Sequence, residues 1–119
     1  MTNTKVVNLH NKGVNYDVYI GRAVPRRGLR RSFWANGFIE GIDGDRDTII
    51  RLYEEDLLKD IERLSRIGEL KGKVLGCWCA PAPCHGDVLA RYADNPRLVE
   101  EAIARLKNGK EERAGVSED

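Results

Sequence analysis

Residues 71–92 read Lys71-Gly72-Lys73-Val74-Leu75-Gly76-Cys77-Trp78-Cys79-Ala80-Pro81-Ala82-Pro83-Cys84-His85-Gly86-Asp87-Val88-Leu89-Ala90-Arg91-Tyr92. Lys73 to Cys79 is a short apolar run between Gly72 and Pro81, the pattern of a buried strand. Pro81 and Pro83 lack the backbone donor a ladder needs, so the strand ends before them. From Cys84 the period turns helical, with Val88, Leu89 and Tyr92 at i, i+1 and i+4. The unit is strand, proline loop, helix. In an open α/β sheet, ligands sit outside the carboxyl end of a strand, facing a helix N-terminus. All three cysteines and one of the two histidines fall at that junction.

Outward from this unit, Lys5 to Leu9 and Tyr16 to Ile20 read as two further strands, with Asn11-Lys12-Gly13 as a turn that would let them pair as a hairpin. Asp43 to Asp47 carries turn and helix-start carboxylates. A helical run then spans 48–67, with Ile50, Tyr53, Leu57, Ile61 and Leu64 on one stripe, a break near Asp60 and a stop at Gly68. Asp94-Asn95-Pro96 opens a last helix, which should run to about Lys107 with Val99, Ile103 and Leu106 facing inward and stop at Asn108-Gly109. The predicted fold class is α/β: one sheet of three or more strands with packed helices and a Rossmann-like strand-loop-helix site. Residues 1–109 form the domain, and 110–119 form a charged tail that should be disordered, having almost nothing to bury.

A chain of 119 residues builds one modest core. Its formal net charge of +1 hides an asymmetry. The first forty residues hold seven Lys or Arg against two acidic residues, and the rest hold thirteen basic and seventeen acidic ones. An acidic partner should therefore meet the N-terminal third. No apolar run reaches membrane-spanning length, so no membrane role is expected. Three cysteines inside eight residues make no disulfide framework, which favours a reducing, cytoplasmic location.

Two constellations carry candidate chemistry. The first is Cys84-His85-Gly86-Asp87 at the helix start. Free amides and the helix dipole favour an anion there and lower a thiol pKa. In this reading Cys84 is a nucleophile, His85 an acid or base, and Asp87 its orienting partner or a helix cap. Gly21 and Arg22 at a strand end, Ser32 and Asn36, Cys79 and Gly86 would complete a phosphate-binding pocket. The second is the segment 22–38, with Arg22, Arg26, Arg27, Arg30 and Arg31 followed by Phe33, Trp34 and Phe38. Such a segment suits phosphate or nucleic acid, with Arg26, Arg27, Arg30 and Arg31 on the backbone and Trp34 or Phe33 stacking on bases. Trp34 would alternatively anchor a protein partner. The bland alternative is a solvated basic loop pinned by its aromatics.

No cofactor is identified by the sequence, and zinc is the metal to consider. Cys77, Cys79, Cys84 and His85 offer four ligands, and two strand positions two apart lie about 6.6 Å apart on one face. Adjacent helical residues diverge by about 100°, which disfavours Cys84 and His85 as joint ligands. A Cys79–Cys84 disulfide lacks the C-x-x-C spacing. Cys77 and Cys79 also suit a purely packing role.

The combination Tyr19-Ile20-Gly21-Arg22, Ser32 with Trp34 to Phe38, Leu70 to Lys73, Gly76-Cys77-Trp78-Cys79 and Cys84 to Leu89 resembles a family of short bacterial and phage proteins. That family is known as a domain of unknown function with a Gly-Cys-Trp-Cys signature. The resemblance covers residues 5 to 93 and implies the fold and the site, without a reaction. These readings together predict a pocket for a phosphorylated small molecule, a nucleotide or nucleoside derivative, with catalysis by the Cys/His pair. The alternatives are a nucleic-acid-binding module, a protein-interaction factor or a zinc-binding domain.

Overall fold

The computed structural model describes residues 3–117, with side chains over 3–108. Its sheet has three strands, β1 (Lys5–Asn8), β2 (Val18–Tyr19) and β3 (Val74–Cys77), in the order β1-β3-β2. Both outer strands run parallel to β3, with Val6 and Val18 each level with Leu75. The expected hairpin between the first two strands does not form. β3 is the apolar strand, with Leu75 to Cys77 buried, and takes the centre because only there are both its edges and both its faces covered. Residues 9–17 then return the chain to the other side of β3. Tyr16 and Leu9 in that link lie against Gly76, where an added Cβ would come within 3.0 Å of the Tyr16 ring and 3.1 Å of Leu9. All three strands are shorter than the runs that announced them, although Leu9, Asp17 and Ile20 still donate to β3 carbonyls beyond the strand ends.

Four helices cover the sheet. α1 (Arg46–Leu57) starts where the Asp45 carboxylate accepts from the Thr48 amide at 2.9 Å. The expected break falls at Leu58 to Asp60, and the Asp60 carboxylate caps α2 (Ile61–Arg66). A 3-10 turn over Ile67–Leu70 carries the chain past Gly68, where a stop was expected. α3 (His85–Ala93) has Cys84 as its cap, and α4 (Pro96–Ser117) begins at the proline. α4 runs on through Asn108-Gly109, where a stop was expected, and the side chains of the expected tail over 110–119 lie outside the described ones. Among the described residues, no helix is long and apolar enough to cross a membrane.

The core lies between sheet and helices, with Ile20, Leu75, Tyr53, Leu57, Leu64, Leu70 and Leu89 sealed from solvent. Burial of these side chains stabilises the fold by roughly 1.5–3 kcal/mol each. Thr4 ties the N-terminal strand to the helices. Its Oγ1 donates to Asp94 at 2.6 Å and accepts from the Gly72 amide at 3.0 Å, while its own amide donates to the same carboxylate.

Candidate functional site

The carboxyl end of β3, the proline loop and the start of α3 form one wall of a cavity of about 340 Å³. Gly21 and Arg22 beyond β2, Asn36 from the following segment, and Arg46, Ile49 and Ile50 from α1 form the other. Cys77, Trp78, Cys79, Pro83, Cys84 and His85 complete the first wall. The structure therefore brings together Gly21, Arg22, Asn36, Cys77, Cys79, Cys84 and His85, which the sequence had only suggested belonged to one place.

Local chemistry explains how each part is held. Asn8 donates to the Ala80 carbonyl at 2.8 Å and pins the proline loop, in which the Ala80-Pro81 bond is cis. Trp78 donates through Nε1 to the Tyr19 hydroxyl, which donates in turn to the Arg22 carbonyl. Gly21 leaves room for the Tyr19 ring: a Cβ there would lie 2.7 Å from Cζ. Asn36 accepts from the Phe38 amide and donates to the Ile49 carbonyl, so a loop residue is locked onto α1.

The helix start is a capping box built on sulfur. Cys84 Sγ accepts from the Gly86 amide at 3.2 Å, and the Asp87 carboxylate accepts from the Cys84 amide at 3.0 Å. Of its two expected roles Asp87 takes the cap, and His85 has a different hydrogen-bond partner. The Gly86 amide is already engaged, and Gly86 serves packing instead: an added Cβ would lie 2.8 Å from Ile20 and 3.0 Å from Val6. Cys84 is only 4 % exposed, too deeply set to act as the leading nucleophile.

His85 is 8 % exposed, and its Nε2 lies 2.7 Å from the Ile20 carbonyl. A carbonyl only accepts, so Nε2 carries the proton and Nδ1 keeps its lone pair. Burial lowers the pKa of the ring and holds it neutral. Nδ1 has no hydrogen-bond partner among the described residues, yet no buried side-chain nitrogen is sealed without one, so Nδ1 keeps some access.

The sulfurs cluster, with Cys77 and Cys84 3.6 Å apart and the Cys79 amide donating to Cys77 Sγ at 3.5 Å. The neighbouring Cys77 and Cys84 thiols hold the Cys79 thiol below the ordinary range, with Arg46 adding to the effect. Cys84 moves the opposite way, because its thiol hydrogen bonds to Cys77 and Cys79 oppose ionisation. Among the described residues, no three His, Cys, Asp or Glu side chains are arranged to hold a metal ion. The Cys77 and Cys84 sulfurs are turned toward each other and toward backbone amides, and the protonated nitrogen of His85 toward a carbonyl.

The arginine segment differs most from expectation. Pro25–Arg27 is a 3-10 turn, closed by Val24 pairing with Leu29 and by Gly28 at φ 69°. It lifts Arg26 and Arg27 into solvent. Arg26, Arg27, Arg30 and Arg31 are all exposed and none lines the cavity. Arg27 instead lies over Trp78 at 5.0 Å. Arg22 does reach the cavity, but its guanidinium also donates to the Asn36 and Phe38 carbonyls, bracing the segment. Ser32 is outside the cavity and accepts from the Trp34 amide. Trp34 is 4 % exposed and its carbonyl accepts from the Tyr53 hydroxyl, so it is a core residue and not a base-stacking or anchoring one. Phe33 is exposed, with Arg66 over its ring at 4.4 Å.

Sequence reasoning missed Arg46, Ile49, Ile50, Val24, Ile39 and Glu40. Arg46 donates to the Pro83 carbonyl at 3.2 Å and lies 3.6 Å from Glu40. As the first residue of a helix far away in sequence, it carries no motif that could have placed it there.

The family described as "Domain of unknown function (DUF4326)" matches residues 6–95, most of the chain. A protein of Enterobacteria phage T4, described as "Uncharacterized 12.4 kDa protein in nrdA-td intergenic region", is 33 % identical over 69 residues. That match covers 55 % of this chain and 63 % of the phage protein, so the chain spans less than two thirds of that relative's length. No solved structure matches. The matched span holds the three strands save Lys5 of β1, the cavity walls and the sulfur-capped helix, and the chain belongs to the DUF4326 family.

Proposed function

We propose that the cavity binds a small molecule with one anionic group and a flat, partly apolar body, such as a phosphorylated nucleoside derivative. The observation that carries this reading is the convergence of Arg22, Arg46, Asn36 and the start of α3 on a single space of about 340 Å³. That volume is in the range of small-ligand sites. The remaining wall is largely apolar, with Val24, Ile39, Ile49, Ile50 and Trp78 offering a face for a ring. The dipole of α3 and two guanidinium groups, one offset by Glu40, favour negative charge at the other side. The site is a Rossmann-like arrangement in the limited sense that the ligand meets a strand's carboxyl end and a helix start.

Thermal unfolding of the full chain against a panel of nucleoside mono-, di- and triphosphates and sugar phosphates tests this. A true ligand at 100 times its Kd adds about 2.7 kcal/mol of stability, a shift of several degrees. The Arg46→Gln variant should lose most of that shift. No shift with any compound sinks the reading.

A second reading has its own observation. His10, Lys12, Arg27 and Trp78 line a separate groove of about 350 Å³, with Arg27 over the Trp78 ring. A basic, aromatic groove suits single-stranded nucleic acid. Binding to oligonucleotides that weakens steeply with salt, and that Arg27→Ala reduces, would support it. Salt-independent or absent binding rejects it.

A further inference from the structure

We propose that Cys77 and Cys84 are a redox pair: peroxide joins them in a reversible disulfide that alters the start of α3 and the cavity wall beside it. The proposal goes beyond the binding reading above and does not depend on it.

The fold sets up the pair. Cys77 ends β3 and Cys84 caps α3. The loop 78–83 between them is pinned at its middle, where Asn8 donates to the Ala80 carbonyl at 2.8 Å. It is also closed on itself, where the Ala82 amide donates to the Cys79 carbonyl at 2.9 Å. Its two ends are thereby held opposite each other. The two sulfurs lie 3.6 Å apart, and both are free thiols. An S–S bond is about 2 Å long, so closure takes a movement of roughly 1.5 Å, shared between two side chains. Cys79 meets this pair through its amide, 3.5 Å from Cys77 Sγ, and is less buried than either member.

Cys77 and Cys84 are buried, yet both line the cavity. Burial screens them from bulky oxidants, while the cavity gives hydrogen peroxide, little larger than water, a route to them. Cys84 Sγ also accepts from the Gly86 amide at 3.2 Å. Drawing that sulfur toward Cys77 changes the cap, so the first turn of α3 responds to oxidation.

Hydrogen peroxide is the oxidant. One thiol loses its proton and its sulfur attacks a peroxide oxygen. An S–O bond forms, the O–O bond breaks, and the departing hydroxide leaves with that proton as water. The second sulfur then attacks the first. The S–S bond forms, the S–O bond breaks, and the hydroxyl leaves with the second thiol proton as another water. The two thiols lose two electrons in all, and the peroxide gains them.

The test treats the reduced full chain with hydrogen peroxide. Remaining thiols are alkylated in urea, and the disulfide is then reduced and alkylated with a heavy form of the reagent. Lys73 and Arg91 bracket all three cysteines, so one tryptic peptide carries them and its fragment ions assign each label. Free thiols should fall from three to one, with heavy label at Cys77 and Cys84 and light label at Cys79. The chain should stay monomeric on a non-reducing gel, and dithiothreitol should restore all three thiols. Cys84→Ser, which keeps a good capping residue, should abolish the bridge. Cys79→Ser should keep it, and the wild-type label map decides the matter where that variant folds poorly. Three thiols retained, a bridge that includes Cys79, cross-linked dimers or an oxidation that dithiothreitol fails to reverse overturns the pair. The Gly86 amide resonance should move on oxidation and return on reduction. A bridge that leaves it unmoved overturns the link to α3.

Discussion

His85 donates its Nε2 proton to the Ile20 carbonyl across 2.7 Å, joining the first residue of α3 to the chain just beyond β2. This bond fixes the tautomer of the neutral ring and joins the two walls of the cavity, while burial is what disfavours the charged ring. Burial places the folded-state pKa below the ordinary 6.5. The unfolded chain therefore takes up the proton first as pH falls. The stability contributed by this group is complete above pH 6.5 and is lost as pH drops through 6.5 toward the folded value. Urea unfolding from pH 8 to 5 should show a decline beginning near pH 6.5 in the wild type and a flatter profile in His85→Gln. Equal slopes would contradict the buried neutral ring.

Asp87 caps α3 and makes no hydrogen bond to His85. Asp87→Ala should lower unfolding stability by about 1 kcal/mol, the usual cost of a lost cap. Ligand-induced thermal shifts should remain. A loss of ligand response at unchanged stability would restore Asp87 as an orienting partner of the histidine.

Gly86 is a contact of close approach. Its Cα faces Ile20 and both methyl groups of Val6, and a Cβ would lie 2.8–3.1 Å from them. Gly86→Ala should destabilise by roughly 1–3 kcal/mol through overpacking, despite alanine's better helix propensity. Denaturant titration measures it, and a neutral or stabilising result would place α3 further from the sheet.

Thr4 joins three segments through one hydroxyl, bonded to Asp94, Leu70 and Gly72. Thr4→Val keeps the shape and strands those partners, so stability should fall by roughly 1–3 kcal/mol. Hydrogen exchange should quicken at the Gly72 amide. Unchanged exchange there would show that the hydroxyl is dispensable.

Much of this fold is legible in local pattern. The apolar run before Pro81, the switch of period after Cys84, the Asp60 break and the Asn95-Pro96 start are all short-range signals, and all have their counterparts in the elements observed. Strand pairing is not local. Nothing in Asn11-Lys12-Gly13 distinguishes a hairpin turn from a link that carries the chain past a strand sixty residues later, and β3 wins the central place by burial. The site divides in the same way. Cys79, Cys84 and His85 announce themselves by chemistry at one junction, as do Gly21 and Arg22 at a strand end. Arg46 and the isoleucines of α1 reach the cavity only through packing. The arginine run misled because charge density shows in the sequence while direction does not: the Gly28 turn aims Arg26 and Arg27 outward.

Occupation of the junction of β3 and α3 by an anionic small molecule is read out by amide NMR of the labelled full chain during nucleotide and sugar-phosphate titration. Saturable shifts are expected at Gly21, Arg22, Cys79, His85 and Gly86, with little change in the groove around Lys12 and Arg27. Shifts confined to that groove, or none at the junction with any compound, would contradict it.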